Sequence, residues 1–227
     1  MASLPEITVK PPRRGPGRPT LSNEELLDKA LDVFLEQGFD RTSIDAICAA
    51  AGVAKRTVYQ RHGDKKSLFR AALERAIDEW IVPIAELRAL ESADLELCLL
   101  RIGRRLVANL MTPAGIRLLQ ITNAESHHQP EIGAYAYTEG TGRTIDYLTD
   151  LFERRVGPLA RAETDWREAA FAFLTLVTGP GTMAAWGVVL DPAAVDDHVS
   201  FTVRLFLHGL LDSDQAGSLQ RRAAGID

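Results

Sequence analysis

Between Asp40 and Asp64 the chain reads DRTSIDAICAAAGVAKRTVYQRHGD, and no other stretch restricts the possible fold so strongly. Two short helical patterns meet at Ala51-Gly52-Val53, where Gly52 is the residue free to take a positive φ without strain. Thr42 or Ser43 caps the first pattern, with Asp45 in its opening turn. Ile44, Ile47, Cys48 and Ala51 make its inner face. Val53 fills the angle between the helices, and from Ala54 to Arg61 the second helix turns Val58 back onto Ile44 and Ile47. With Val58 inside, Lys55, Arg56, Tyr59 and Gln60 share the outer face. No acidic residue occurs from Gly52 through Gly63. A helix that is cationic on one side and braced by a neighbour is the shape that carries side chains into a DNA major groove. Its amide suits adenine and its phenol suits a phosphate.

The flanks extend the same reading. Ser22 and Glu25 form a capping box that opens a helix through Leu27, Ala30, Leu31 and Phe34, ended by Gly38. After a second break at Gly63, Asp64 caps a long helix with Leu68, Phe69, Ala72, Leu73, Ala76, Ile77, Trp80 and Ile81 on its apolar stripe. Lys65 and Lys66 stand at the N-terminus of that helix, where helix dipole and lysine charge both attract phosphate. Pro83 should kink or end the helix near Val82. Ahead of all this, residues 1–20 are rich in Pro, Gly and Arg, with four cations and one acid, and cannot bury a core. Gly17-Arg18-Pro19 is narrow and extended, suited to laying Arg18 into an A·T-rich minor groove.

Charge agrees with this division. Residues 1–75 hold 13 Lys+Arg against 10 Asp+Glu, and residues 76–227 hold 13 against 21, so the net of −5 hides +3 followed by −8. Only the N-terminal part is expected to meet a polyanion. The remainder reads as helices: Leu95–Leu110, a run from Pro113 stopping before Pro130, and Ile132–Val156 loosened by Gly140 and Gly142. Asp165–Val177 follows, interrupted by Gly179-Pro180-Gly181, and then Ala193–Leu211. The last two are apolar nearly all round and need cover on every side. A second subunit would supply it, with Phe171, Leu174, Phe201 and Leu205 at the contact. Two recognition helices ~34 Å apart would then read a palindrome.

Several chemistries are disfavoured. No apolar run reaches the ~18 residues of a membrane span, no signal-peptide core opens the chain, and a cytoplasmic location is expected. Cys48 and Cys98 lie in apolar helical patterns, as reduced thiols do. Glu125-x-x-His128, beside His127, has di-iron spacing, but the second such pair that this chemistry needs is missing. Without a nucleophile elbow, phosphate loop or paired-cysteine spacing, neither an enzyme nor a cofactor or metal site is expected. A helical metal enzyme and a helical module binding an acidic protein remain the alternatives.

The pattern Phe34-x-x-x-Gly38-Phe39, Thr42-Ser43-Ile44-x-x-Ile47-x-x-x-Ala51-Gly52-Val53-x-x-x-Thr57-Val58-Tyr59-x-x-x-Gly63-x-Lys65-x-x-Leu68 resembles the tetracycline-repressor (TetR) family of bacterial regulators over residues 17–70. The resemblance implies an all-α homodimer of about 9–10 helices per chain. It would comprise an arm at 1–20, a three-helix DNA-binding domain at 21–66 and a ligand-binding, dimerising helical bundle at 67–227. By position it implies phosphate contacts from Thr42 or Ser43, Tyr59 and Lys65, and base or backbone contacts from Lys55, Arg56, Thr57 and Gln60. It also implies repression of a palindromic operator, relieved by a small apolar or amphipathic effector. Trp80, Leu106, Leu110, Ile121, Tyr147 and Trp186 are the candidate pocket residues. Departures fall at His62, where the family usually has an aromatic residue, at Ala54, often a Ser or Thr cap, and at Arg56, often a small residue.

Overall fold

A computed structural model describes residues 21–157 and 164–210. The expectation placed on Arg18 lies outside the described residues. Within them the chain is all-α, with no strand. Helix α1 (Asn23–Gln37) opens with the capping box: Glu25 N donates to Ser22 Oγ at 3.0 Å, and Ser22 N donates to Glu25 Oε2 at 2.8 Å. Helix α2 (Ile44–Ala51) is capped by Ser43, whose Oγ accepts from Ala46 N at 3.1 Å, which decides between the two candidate caps. Gly52 closes α2 in the left-handed conformation, φ 66° and ψ 31°. Helix α3 (Lys55–His62) follows, and α4 (Lys65–Trp80) starts under Asp64, which accepts from Ser67 N at 2.7 Å.

Pro83 stands just beyond α4 and begins a short helix, α5 (Ile84–Ala89), which apolar spacing did not announce. Helix α6 (Leu95–Leu110) spans the expected range, and Thr112 caps α7 (Pro113–Ser126). Helix α8 (Pro130–Tyr135), a π-helical segment (Ala136–Gly142) and α9 (Arg143–Arg155) succeed one another without a break. The loosening at Gly140 and Gly142 therefore takes the form of wider turns. Helices α10 (Trp166–Ala185) and α11 (Pro192–Leu210) complete the body. Counting α8 to α9 as one helix and setting aside six-residue α5, the described residues hold nine helices, within the expected range.

One expectation fails at α10. Gly179-Pro180-Gly181 does not interrupt it; the helix runs through Pro180 to Ala185. A proline there cannot donate to the carbonyl four residues back, that of Leu176. His198 of α11 fills the gap, its Nε2 lying 2.8 Å from Leu176 O. A residue 22 positions away thus repairs the ladder.

Two cores form. In the first, Leu26, Ala30 and Phe34 of α1 pack with Ile47, Val58, and Leu68, Phe69 and Leu73 of α4. This core extends to Leu118 and Ile121 of α7 and Ile132 of α8. Phe34 and Phe69 meet edge to face at 4.7 Å between centroids. Each such buried side chain contributes roughly 1.5–3 kcal/mol by leaving water. The second core joins α6, α9, α10 and α11 around Phe152, Phe173 and Phe206. Helix α4 thus packs its length into the first core while its last turn reaches the second body.

Candidate functional site

Ile47 and Val58, both buried, set the angle of α3 and turn its other side outward. Lys55, Arg56, Tyr59 and Gln60 are exposed together on that side, Tyr59 by 49%, and Thr57 is half-buried at its edge. Lys55 Nζ lies 2.8 Å from Asp45 Oδ1, and this hydrogen bond raises the lysine pKa. Ala54 gives α3 no side-chain cap; Thr57 N turns back to Ala54 O at 2.9 Å, and the amides of Lys55 and Arg56 face outward to an anion. The far end of α3 is tied down. Arg61 Nη2 donates to Leu21 O at 3.0 Å, and His62 Nε2 lies 2.9 Å from Asn23 Oδ1. His62 is half-buried and its pKa is lowered, first by desolvation and then by Arg61. These two residues hold α3 against the start of α1.

Two expected phosphate contacts are corrected. Thr42 is 2% exposed, and its Oγ1 donates to Gly38 O at 2.8 Å, so its hydroxyl has no access to a backbone phosphate. Ser43 beside it is exposed. Lys65 points inward: Nζ donates to the carbonyls of Phe39 at 2.9 Å, Asp40 at 3.3 Å and Thr42 at 3.1 Å, and sits over the Phe39 ring. Three carbonyls turned to one point by the α1–α2 loop thus engage the ammonium in charge-assisted hydrogen bonds. Lys66 pairs at 3.3 Å with Glu131 of α8, whose pKa is lowered by a backbone hydrogen bond and by this lysine.

A cavity of about 300 Å³ lies between α4, α6, α7, the π segment, α9 and α10. Trp80, Leu106 and Leu110 line it; Ile121, Tyr147 and Trp186 do not. Ile121 is committed to the first core. Tyr147 lies in the second, its hydroxyl 3.2 Å from Glu91 Oε1 and its pKa raised by burial and then by that carboxylate. Trp186 is 76% exposed beyond the end of α10. At the cavity rim Asn109 Nδ2 donates to Trp80 O at 2.6 Å and Trp80 Nε1 donates to Asn109 O at 3.2 Å, joining the last turns of α4 and α6. Gly115 permits this approach, since a Cβ there would fall 2.8 Å from Trp80 Nε1. Periodicity at Ile77, Trp80, Leu106 and Leu118 could reveal the walls, but nothing local marked Thr144, Thr175 or Thr178 as lining.

Of the four expected contact residues, Phe171, Phe201 and Leu205 are exposed, joined by Leu176 and Met183 on α10. Leu174 is buried within its own chain and lines the cavity, which corrects its assignment to a subunit contact.

A three-helix unit presenting α3, packed through α4 onto a helical body with a cavity, is the build of a helix-turn-helix regulator. The chain belongs to the TetR family: residues 26–72 match bacterial regulatory proteins of the tetR family, and residues 98–209 match the C-terminal domain of AefR-like transcriptional repressors. The repressor ComR of Escherichia coli is 35% identical over 69 residues, covering 30% of this chain and 33% of that protein. The curated relatives are matched over only 26–40% of their own length. Similar solved structures cover far more. A TetR-family regulator from Mesorhizobium loti superposes with a TM-score of 0.72 at 23% identity, over 84% of this chain and 96% of that one. The flavonoid-responsive regulator FrrA gives 0.66 at 27% identity, over 84% and 97%. No described helix is long and apolar enough to cross a membrane.

Proposed function

We propose that this regulator is a repressor that binds a palindromic operator as a homodimer and is released by a small effector. The observation that carries the proposal is the outer face of α3: Lys55, Arg56, Tyr59 and Gln60 exposed together on a helix without an acid, ahead of an uncapped N-terminus. Lys55, Arg56, Thr57 and Gln60 contact bases or nearby backbone, and Ser43 and Tyr59 contact phosphate. Lys55 exchanges Asp45 for DNA. Arg18 is placed in the flanking minor groove on sequence grounds alone.

The dimer reading is supported by Phe171, Leu176 and Met183 on α10 with Phe201 and Leu205 on α11, large apolar side chains left exposed on the last two described helices. The effector reading is supported by the cavity and by the Trp80–Asn109 link at its rim. A ligand releases DNA only if it binds the DNA-incompetent arrangement more tightly. FrrA is flavonoid-responsive, which favours the same reading here. Footprinting on the DNA flanking the chain's own gene tests the proposal. Two protected half-sites about one helical turn or a multiple apart are expected for a dimer of this kind. Protection of a single half-site, or none, would contradict it.

A further inference from the structure

The 18 residues lining the cavity, which opens to solvent on one side, include no Asp, Glu, Lys, Arg or His. An ion entering it would leave water without meeting a counter-charge, at a large desolvation cost. Apart from apolar side chains, glycine and backbone, the lining consists of Asn109 and six threonines: 122, 141, 144, 175, 178 and 182. The Asn109 side chain is already committed, since Nδ2 donates to Trp80 O and Oδ1 accepts from Arg105 Nη1 at 3.2 Å. Arg105 is itself held by Glu86, so its charge is neutralised outside the lining. Trp80 Nε1 is occupied by Asn109 O.

Two of the threonines have a defined polarity. Thr144 Oγ1 donates to Gly140 O at 3.1 Å, and Thr178 Oγ1 donates to Leu174 O at 2.7 Å. A hydroxyl that has given its hydrogen to a backbone carbonyl offers a ligand only lone pairs. At Thr144 on α9 and Thr178 on α10, then, the wall accepts hydrogen bonds. The volume, about 300 Å³, is at the small end of the ~300–1,000 Å³ typical of ligand sites. One or two fused rings fit such a space.

We propose that the cavity binds an uncharged, largely apolar molecule of one or two rings carrying a hydrogen-bond donor, which Thr144 or Thr178 accepts. The consequence for DNA rests on the effector-responsive reading above; the binding does not. Because Trp80 and Asn109 both line the cavity and bond to each other, a ligand there presses on the junction of α4 with α6.

The test uses the full chain and three probes on one ring system: 2-naphthol, naphthalene and 2-naphthoate, titrated calorimetrically at pH 7.5. There the phenol is neutral and the carboxylate ionised, since their reference pKa values are about 10 and 4. The expected result is saturable binding of 2-naphthol, at least ~10-fold tighter than either comparator. The double variant Thr144→Val/Thr178→Val should lose most of the margin of 2-naphthol over naphthalene while binding naphthalene as before. Thr178→Lys, provided its circular dichroism remains that of the wild type, should shift preference toward 2-naphthoate. Binding of 2-naphthoate as tight as that of 2-naphthol by the wild type would overturn the proposal. So would failure of 2-naphthol to bind up to its solubility limit, or an unchanged naphthol margin in the double variant. A gel shift with 2-naphthol separates the two readings. Cavity binding without release of DNA would sink the effector reading and leave the ligand class standing.

Discussion

Lys65→Met removes an ammonium that donates to the carbonyls of Phe39, Asp40 and Thr42 and lies 4.4 Å from the Phe39 ring centroid, while keeping an aliphatic stem. A hydrogen bond involving a charged group contributes ~1.5–3 kcal/mol net when well formed. The bond to Asp40 is long at 3.3 Å and exposed, and the carbonyls freed at that loop regain water. The cation–π contact adds ~0.5–1 kcal/mol at such a site. The sum after rehydration is a loss of about 2–3 kcal/mol. For a chain of this size that is a fall of roughly 4–12 °C in Tm. Urea unfolding followed by helical circular dichroism measures the loss, at fixed protein concentration because a dimer's stability depends on it. DNA affinity is then measured from low to high salt at a temperature where the variant is folded. The expected outcome is a lowered unfolding midpoint with an unchanged salt slope. An unchanged midpoint with a slope shallower by about one unit would make Lys65 a phosphate contact and refute the reasoning.

Gly52→Ala forces a Cβ into a backbone at φ 66° with nothing within 4 Å of it, so its cost is conformational alone, about 1–2 kcal/mol in a thermal melt. No change would mean that the α2–α3 turn has another shape. His198→Ala strips the donor from Leu176 O beside Pro180 and should cost about 1–2 kcal/mol, with partial recovery in His198→Gln. Full stability in the alanine variant would show that water serves the carbonyl as well. His62, its folded pKa depressed below the ordinary 6.5, contributes stability that is complete above pH 6.5 and is lost as pH falls through its folded value. His62→Gln should therefore flatten the pH dependence of the urea midpoint below pH 6.5, and a curve parallel to the wild type would assign that dependence elsewhere.

The N-terminal unit was legible because its signals are local. Ser22 with Glu25, Asp64, and the glycines at 38, 52 and 63 each act within four residues, and α6 filled its expected range for the same reason. What escaped depends on distant partners. The inward turn of Lys65 requires the loop at Phe39–Thr42 to fold back over it, which a helix-terminus argument could not contain. The passage of α10 through Pro180 requires His198. Leu174 shares a helical pattern with Phe171, yet one faces the cavity and the other the exterior, a difference set by where α6 and α9 pack. Trp186, the kind of residue that lines pockets, stands in the open because α10 ends just before it.

Whether the outer face of α3 reads base sequence is decided by Gln60→Ala. Its affinity is measured by equilibrium titration on the footprinted operator and on a scrambled duplex at one salt concentration. The expected result is a loss of about 1–3 kcal/mol on the operator and little on the scrambled duplex, so that specificity relaxes. Equal losses on both duplexes would contradict it.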